Sequence, residues 1–336
     1  MFYYKLMFSM ILAFGTLISI SSSSWMGMWL GLEINLLAFI PLIQEKNNAS
    51  SSESALKYFL TQAFASTVLL FSLIFMAKYF LIMKNIDNSI MFMFNSALLT
   101  KMGMAPFHFW FPEVIEGLNW FNCFILLTMQ KLAPMVLMMY NVNFQYFFIF
   151  IIIFGMLISS FLGINQSSIR KLLAYSSINH MAWMISAMFF SETIWFYYFI
   201  VYSILSVNII SIMKFYKIFY YNQILMSMNN NFLMKFLFSL NFLSLGGLPP
   251  FMGFYPKWLT IQFMIQFNCI TLSFLMMILT LMTLFYYMRF IFNILIMTNN
   301  EMNYSNNIKF KNFNIAFFNS ISLSSLFLLT MSYNFM

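Results

Sequence analysis

Apolar residues come in long runs along this chain, separated by short polar turns, and few charges interrupt the runs. About 20 helical residues cross the hydrocarbon core of a bilayer, so runs of that length read as membrane helices. Eleven are predicted, near 2–20, 25–43, 57–80, 89–111, 119–140, 144–164, 169–190, 193–216, 234–267, 269–292 and 312–332. Two of them should be broken. The fourth contains Lys101-Met-Gly-Met-Ala-Pro106-Phe-His108-Phe-Trp-Phe-Pro112. Proline lacks an amide donor and its ring clashes with the carbonyl four residues back, here that of Met102, so the helix should end within a turn of Lys101. The ninth run is some 34 residues long. As one helix it would reach about 50 Å, against a hydrocarbon core of about 30 Å. Gly246-Gly247-Leu248-Pro249-Pro250 divides it into two half-helices, with Lys257 in the second.

These elements predict an all-α polytopic membrane protein forming one transmembrane domain over residues 1–336. Residues 1–140 and 144–292 read as two five-helix repeats, each with its broken, lysine-bearing helix in fourth place (helices 4 and 9), and 312–332 is an extra C-terminal helix. A five-helix repeat returns the chain on the opposite side of the membrane, so its copy is inverted. Inverted repeats with matched broken helices mark transporters and place the working site at mid-membrane.

Composition agrees: 62% of the chain is hydrophobic and only 7% charged, unlike any soluble domain of this length. The net charge of +8 reads first as topology. With the N-terminus and the even-numbered turns taken as one side, eleven Lys and Arg fall there and two, Lys78 and Lys84, fall opposite. That asymmetry puts the N-terminus on the side of synthesis and, the helix count being odd, the C-terminus across the membrane. The basic residues form no stripe, which argues against nucleic-acid binding. Cys123 and Cys269 lie in apolar runs without metal spacing. Abundant Met, Phe, Ile, Asn and Tyr suit an A+T-rich organellar gene.

Charge inside the membrane is costly and by default functional. Glu33, Lys101, Lys131, His180 and Lys257 each fall near the middle of a predicted helix, so the five share one depth. That describes a line parallel to the membrane plane rather than a channel through it. Plainer readings stand beside each. Glu33 could be a structural partner of Lys101, Lys131 could meet carbonyls freed at Pro134, and Lys257 could snorkel from its half-helix. His180 could be a helix-contact residue, and His108, just past Pro106, could bond the frayed turn. Glu113, Glu116 and Glu192 read as interfacial charges.

Energetics favour a proton carrier. A change of three pKa units is worth about 4 kcal/mol, whereas one charge moving against the membrane potential needs about 2.3 kcal/mol per 100 mV. Movement of Glu33 relative to Lys101 could therefore release a proton against a physiological gradient. No CxxC, haem-type histidine pair, P-loop or dinucleotide glycine pattern occurs, so the chain is expected to bind no cofactor and carry out no electron transfer itself.

The Lys101 stretch resembles the Lys-x-Gly-x-x-Pro-Phe-His-x-Trp-x-Pro signature of the proton-translocating antiporter-like family. That family comprises membrane subunits of respiratory NADH:ubiquinone oxidoreductase (complex I) and of multi-subunit sodium/proton antiporters. Arg170-Lys-Leu-Leu-Ala-Tyr-Ser-Ser-Ile-Asn-His180-Met-Ala-Trp and Leu243-Ser-Leu-Gly-Gly-Leu-Pro-Pro-Phe-Met-Gly-Phe-Tyr-Pro-Lys257-Trp are similar to it as well. Eleven helices rather than the usual fourteen resemble an animal mitochondrial branch that lacks the first three. The resemblance implies that Glu33 and Lys101 form the family's charge pair, Lys131 its bridging lysine and Lys257 its exit-side residue. His180 matches a polar position on the linking helix, and Lys257 has no obvious carboxylate partner. It further implies residence in the inner mitochondrial membrane, N-terminus in the matrix and C-terminus in the intermembrane space. Implied partners are other membrane subunits, accessory subunits, lipids such as cardiolipin, and a hydrophilic arm holding flavin and iron–sulfur clusters. A cation/proton antiporter subunit without redox partners is the alternative, and a scaffold of buried charges a second.

Overall fold

The computed structural model describes residues 2–45, 48–79, 87–142, 145–227, 232–296 and 319–320. The predicted eleventh helix, 312–332, lies outside the described residues apart from Asn319 and Ser320, as do Lys46, Lys84, Lys309 and Lys311. The described residues form an all-α polytopic membrane protein, and seven of their helices are long and apolar enough to cross a membrane. They fall into two compact units, Met1–Phe154 and Gly155–Met336.

The first unit holds α1 (Phe2–Ser21), α2 (Trp25–Ile43), α3 (Ala49–Tyr79), α4 (Asp87–Met102), α5 (Trp110–Gly117), α6 (Trp120–Leu127), α7 (Met129–Met139) and the first half of α8 (Gln145–Ile164). Ser24 caps α2, its hydroxyl accepting the Gly27 amide at 3.2 Å, which satisfies one donor that the helix start leaves open. α1 and α2 touch backbone to backbone: a Cβ on Gly31 would lie 2.5 Å from the Ser19 nitrogen, so only glycine admits this approach. The predicted fourth helix ends at Met102 and resumes as α5, as Pro106 requires. The predicted fifth helix is also broken, at Thr128 between α6 and α7. The Thr128 hydroxyl bonds back to the Phe124 carbonyl at 2.8 Å, a contact that bends helices.

Large apolar side chains such as Tyr3, Phe14 and Leu17 point outward on α1, the arrangement that a lipid surround favours. Charges gather where helix ends meet. Lys5 at the start of α1 pairs with Glu45 after α2 at 3.5 Å, and Lys57 in α3 pairs with Glu113 in α5 and Glu53, each at 2.8 Å.

The second unit holds the rest of α8, α9 (Ile169–Met188), α10 (Glu192–Tyr216), α11 (Tyr221–Ser227), α12 (Phe232–Gly246), α13 (Phe254–Gln266) and α14 (Ile270–Ile296). Every residue of α9 except Arg170 and Lys171 is buried, so α9 is the axle of this unit. It packs against α10 and α13, and α12 packs against α14. The predicted ninth helix is divided into α12 and α13 around Gly247, whose φ of +80° lies in the left-handed region that glycine tolerates.

Candidate functional site

In the first unit α4 stops one residue after Lys101, and the carbonyls its last turn frees are met by side chains. Gln62 Nε2 donates to the Lys101 carbonyl at 3.3 Å, and Trp110 Nε1 donates to that of Thr100 at 3.0 Å. Gly103 makes the turn at φ +72°, with Phe111 so close that a Cβ would lie 2.9 Å from the Phe111 Cβ. The break is therefore held by protein, the condition under which irregular backbone survives at membrane depth. Lys101 itself is buried.

Glu33 reaches this site from α2. Its charge acts on Lys101 and on Tyr58, yet no ion pair within 4.0 Å joins it to Lys101. One carboxylate oxygen instead accepts from Ser66 at 3.3 Å, a hydroxyl shared with the Ala63 carbonyl at 2.8 Å. The other, Oε2, is buried with no hydrogen-bond partner among the described residues. The expected pair is thus not in contact, and Ser66 holds the carboxylate instead. Lys131 is buried on α7, its ammonium 4.9 Å from the centre of the Phe111 ring. The first turn of α5 thereby touches Lys131 as well.

Three polar residues that sequence reasoning passed over lie in the same unit. Gln130 Nε2 donates to Asn35 Oδ1 at 2.8 Å, and the Tyr58 hydroxyl donates to Gln130 Oε1 at 3.2 Å. The signal for two of them was an amide near a candidate charge, since Asn35 follows Glu33 by two and Gln130 precedes Lys131; Tyr58 had none. His108 is buried in the break, with Nδ1 3.3 Å from the Pro106 carbonyl. It serves the turn and does not bond Glu33 or Lys101.

In the second unit Lys257 is buried where α12 ends. Its ammonium donates to the carbonyls of Gly246 at 2.9 Å and Leu245 at 3.4 Å. These belong to a helix C-terminus, whose partial negative charge substitutes for the carboxylate missing from the sequence. Gly253 lets α13 close on α12, since a Cβ there would overlap the Ser244 oxygen at 1.8 Å. His180, midway along α9, has Nδ1 3.0 Å from the Tyr198 hydroxyl. Among the described residues no group of three or more His, Cys, Asp or Glu gathers into a metal site.

Two broken helices, each with a buried lysine at the break, are thus in place. The profile of a family described as NADH:quinone oxidoreductase/Mrp antiporter, transmembrane, matches residues 22–283. The chain belongs to the NADH:quinone oxidoreductase/Mrp antiporter family. It is 49% identical to the NADH-ubiquinone oxidoreductase chain 2 of Anopheles gambiae, with 97% of each chain covered. It is 38% identical to that of Lemur catta over 86% of this chain and 85% of the relative. Its fold is similar to a chain of respiratory complex I from Thermus thermophilus, with a TM-score of 0.87 at 19% identity over 98% of this chain and 79% of that one. It is also similar to a chain of the Mrp complex from Dietzia, with a TM-score of 0.78 at 11% identity over 96% and 75%. The higher identity lies with the oxidoreductase branch.

Proposed function

We propose that the chain is a core membrane-arm subunit of respiratory complex I in the inner mitochondrial membrane. It translocates protons, driven by NADH:ubiquinone electron transfer in other subunits, and is part of an enzyme while holding no redox centre of its own. Flavin and iron–sulfur clusters belong to its partners, which include the neighbouring antiporter-like and small membrane subunits, accessory subunits and lipids such as cardiolipin. The N-terminus lies in the matrix and the C-terminus in the intermembrane space, and two inverted five-helix repeats underlie the fold. The observation that carries this reading is Glu33 held near but not against buried Lys101 at the end of a broken helix.

In this reading a charge shift arriving from quinone reduction draws Glu33 toward or away from Lys101. The ammonium then gives up or takes a proton, Lys131 and His180 relay it, and Lys257 passes it out. An apolar surround makes each charged lysine sensitive to its partner, because few waters screen the pair. The test is Lys101→Ala in the assembled complex in sealed vesicles, with pumped protons counted per NADH oxidised. Pumping falls strongly while assembly is kept; unchanged pumping would leave these charges a scaffold. A complex purified with this chain but without flavin and iron–sulfur subunits would favour the cation/proton antiporter reading instead.

A further inference from the structure

A cavity of about 550 Å³ opens in the second unit, lined by Gly163, Gln166, Tyr220, Tyr286, Arg289 and Asn293 among others. The loops before α9 and after α10 pair as its rim: the Ile169 amide donates to Phe219 at 3.1 Å and the Tyr221 amide to Ser167 at 3.2 Å. The Arg289 guanidinium donates to the Ile164 carbonyl, and Arg170 lies over the Phe219 ring at 4.6 Å. Lys171, Lys214 and Lys217 sit at the ends of these same helices. The mouth is therefore polar and faces the cation-rich end of the unit.

The inner wall is Tyr286, which lines the cavity although only 2% exposed. Gly163 seats its ring, since a Cβ there would lie 3.0 Å from Tyr286 Cε1. Tyr287 follows, its ring centre 4.6 Å from that of Tyr286. Behind it come Ser176, facing the Tyr287 hydroxyl, and Ser177, facing that of Tyr202. The Tyr202 ring lies 5.2 Å from the His180 imidazole. Among the described residues the hydroxyls of Tyr286 and Tyr287 are buried with no partner inside 3.5 Å. Buried hydroxyls need partners, and polar groups that face one another just beyond contact are where a bridging water fits. The chain uses 46 Phe, which would fill the same space without stranding a hydroxyl. Packing alone therefore does not account for tyrosine at both positions.

We propose that this cavity admits protons from the cation-rich face and that Tyr286, Tyr287, Ser176, Ser177 and Tyr202 hand them to His180. The inference rests on the proton-translocating reading and adds to it an inlet in the second unit. Each hydroxyl or bridging water accepts a proton on a lone pair and releases its own to the next. No tyrosinate and no net charge form along the way; the imidazole keeps the proton, and rotation of the hydroxyls resets the series.

The test uses the assembled complex in sealed vesicles. Tyr286→Phe keeps the ring and removes only the hydroxyl, Tyr197→Phe on the exposed face of α10 is the control, and Lys101→Ala runs alongside. Tyr286→Phe assembles normally, lowers protons pumped per NADH as far as Lys101→Ala does, and raises the solvent deuterium isotope effect on pumping. Tyr197→Phe leaves all three unchanged. In a Cys269→Ser background, Asn222→Cys at the cavity mouth reacts with a membrane-impermeant maleimide from one face only. Wild-type pumping in Tyr286→Phe beside impaired Lys101→Ala would overturn the inlet alone. A pumping loss that merely tracks lost assembly, with no isotope change, would overturn it too. Normal pumping in both variants would remove the parent reading and the inlet with it.

Discussion

Replacing Gly247 by alanine tests whether Lys257 works from the break between α12 and α13. The backbone there has φ +80°, and a left-handed residue with a Cβ is disfavoured by about 1–2 kcal/mol. The new Cβ would also lie 2.8 Å from Lys257 Nζ and 2.9 Å from its Cδ, so the lysine must shift and its bond to the Gly246 carbonyl, now 2.9 Å, is weakened or lost. A hydrogen bond from a charged donor contributes about 1.5–3 kcal/mol. The combined penalty is roughly 2.5–5 kcal/mol, divided between stability and a displaced lysine. The neighbouring glycine is the internal control: at Gly246 the nearest atoms to an added Cβ are 3.7 Å away, an ordinary contact. Gly246→Ala should therefore be neutral, or stabilising by up to about 1 kcal/mol. The assay is the thermal midpoint of the assembled complex together with protons pumped per NADH oxidised. Gly247→Ala lowers both; Gly246→Ala lowers neither. Equal effects from the two substitutions, or full pumping in Gly247→Ala, would refute the placement of Lys257 as a working group at this break.

Two further outcomes follow from the first unit. Gln62→Met keeps the volume but strands the Lys101 carbonyl, a loss of about 1–3 kcal/mol read as a lower melting midpoint. An unchanged midpoint would mean that the break finds another donor. Gly31→Ala forces a Cβ to 2.5 Å from the Ser19 nitrogen and pushes α1 from α2, at about 1–3 kcal/mol for overpacking. Reduced yield of assembled complex is its readout, and normal yield would show that the two helices can separate without penalty.

What the sequence determined by itself was local. A proline ends a helix through its own ring and missing amide, so the stop at Met102 was legible from Pro106. The gap around Gly247 was legible from its Gly-Gly-Leu-Pro-Pro run and from a length no single crossing needs. The lysines beside these breaks were legible because charge in an apolar run is rare. The break at Thr128 was not, because threonine bends a helix only through a hydroxyl bond that its surroundings permit. Only the tertiary structure decided what each charge meets. Glu33 bonds Ser66, 33 residues away, and stays apart from Lys101. Among the described residues Lys257 meets no carboxylate but the end of α12, and His180 meets Tyr198. The physical reason is range: helix breaks depend on bonds within about one turn, whereas the partner of a buried charge is chosen by packing among helices distant in sequence.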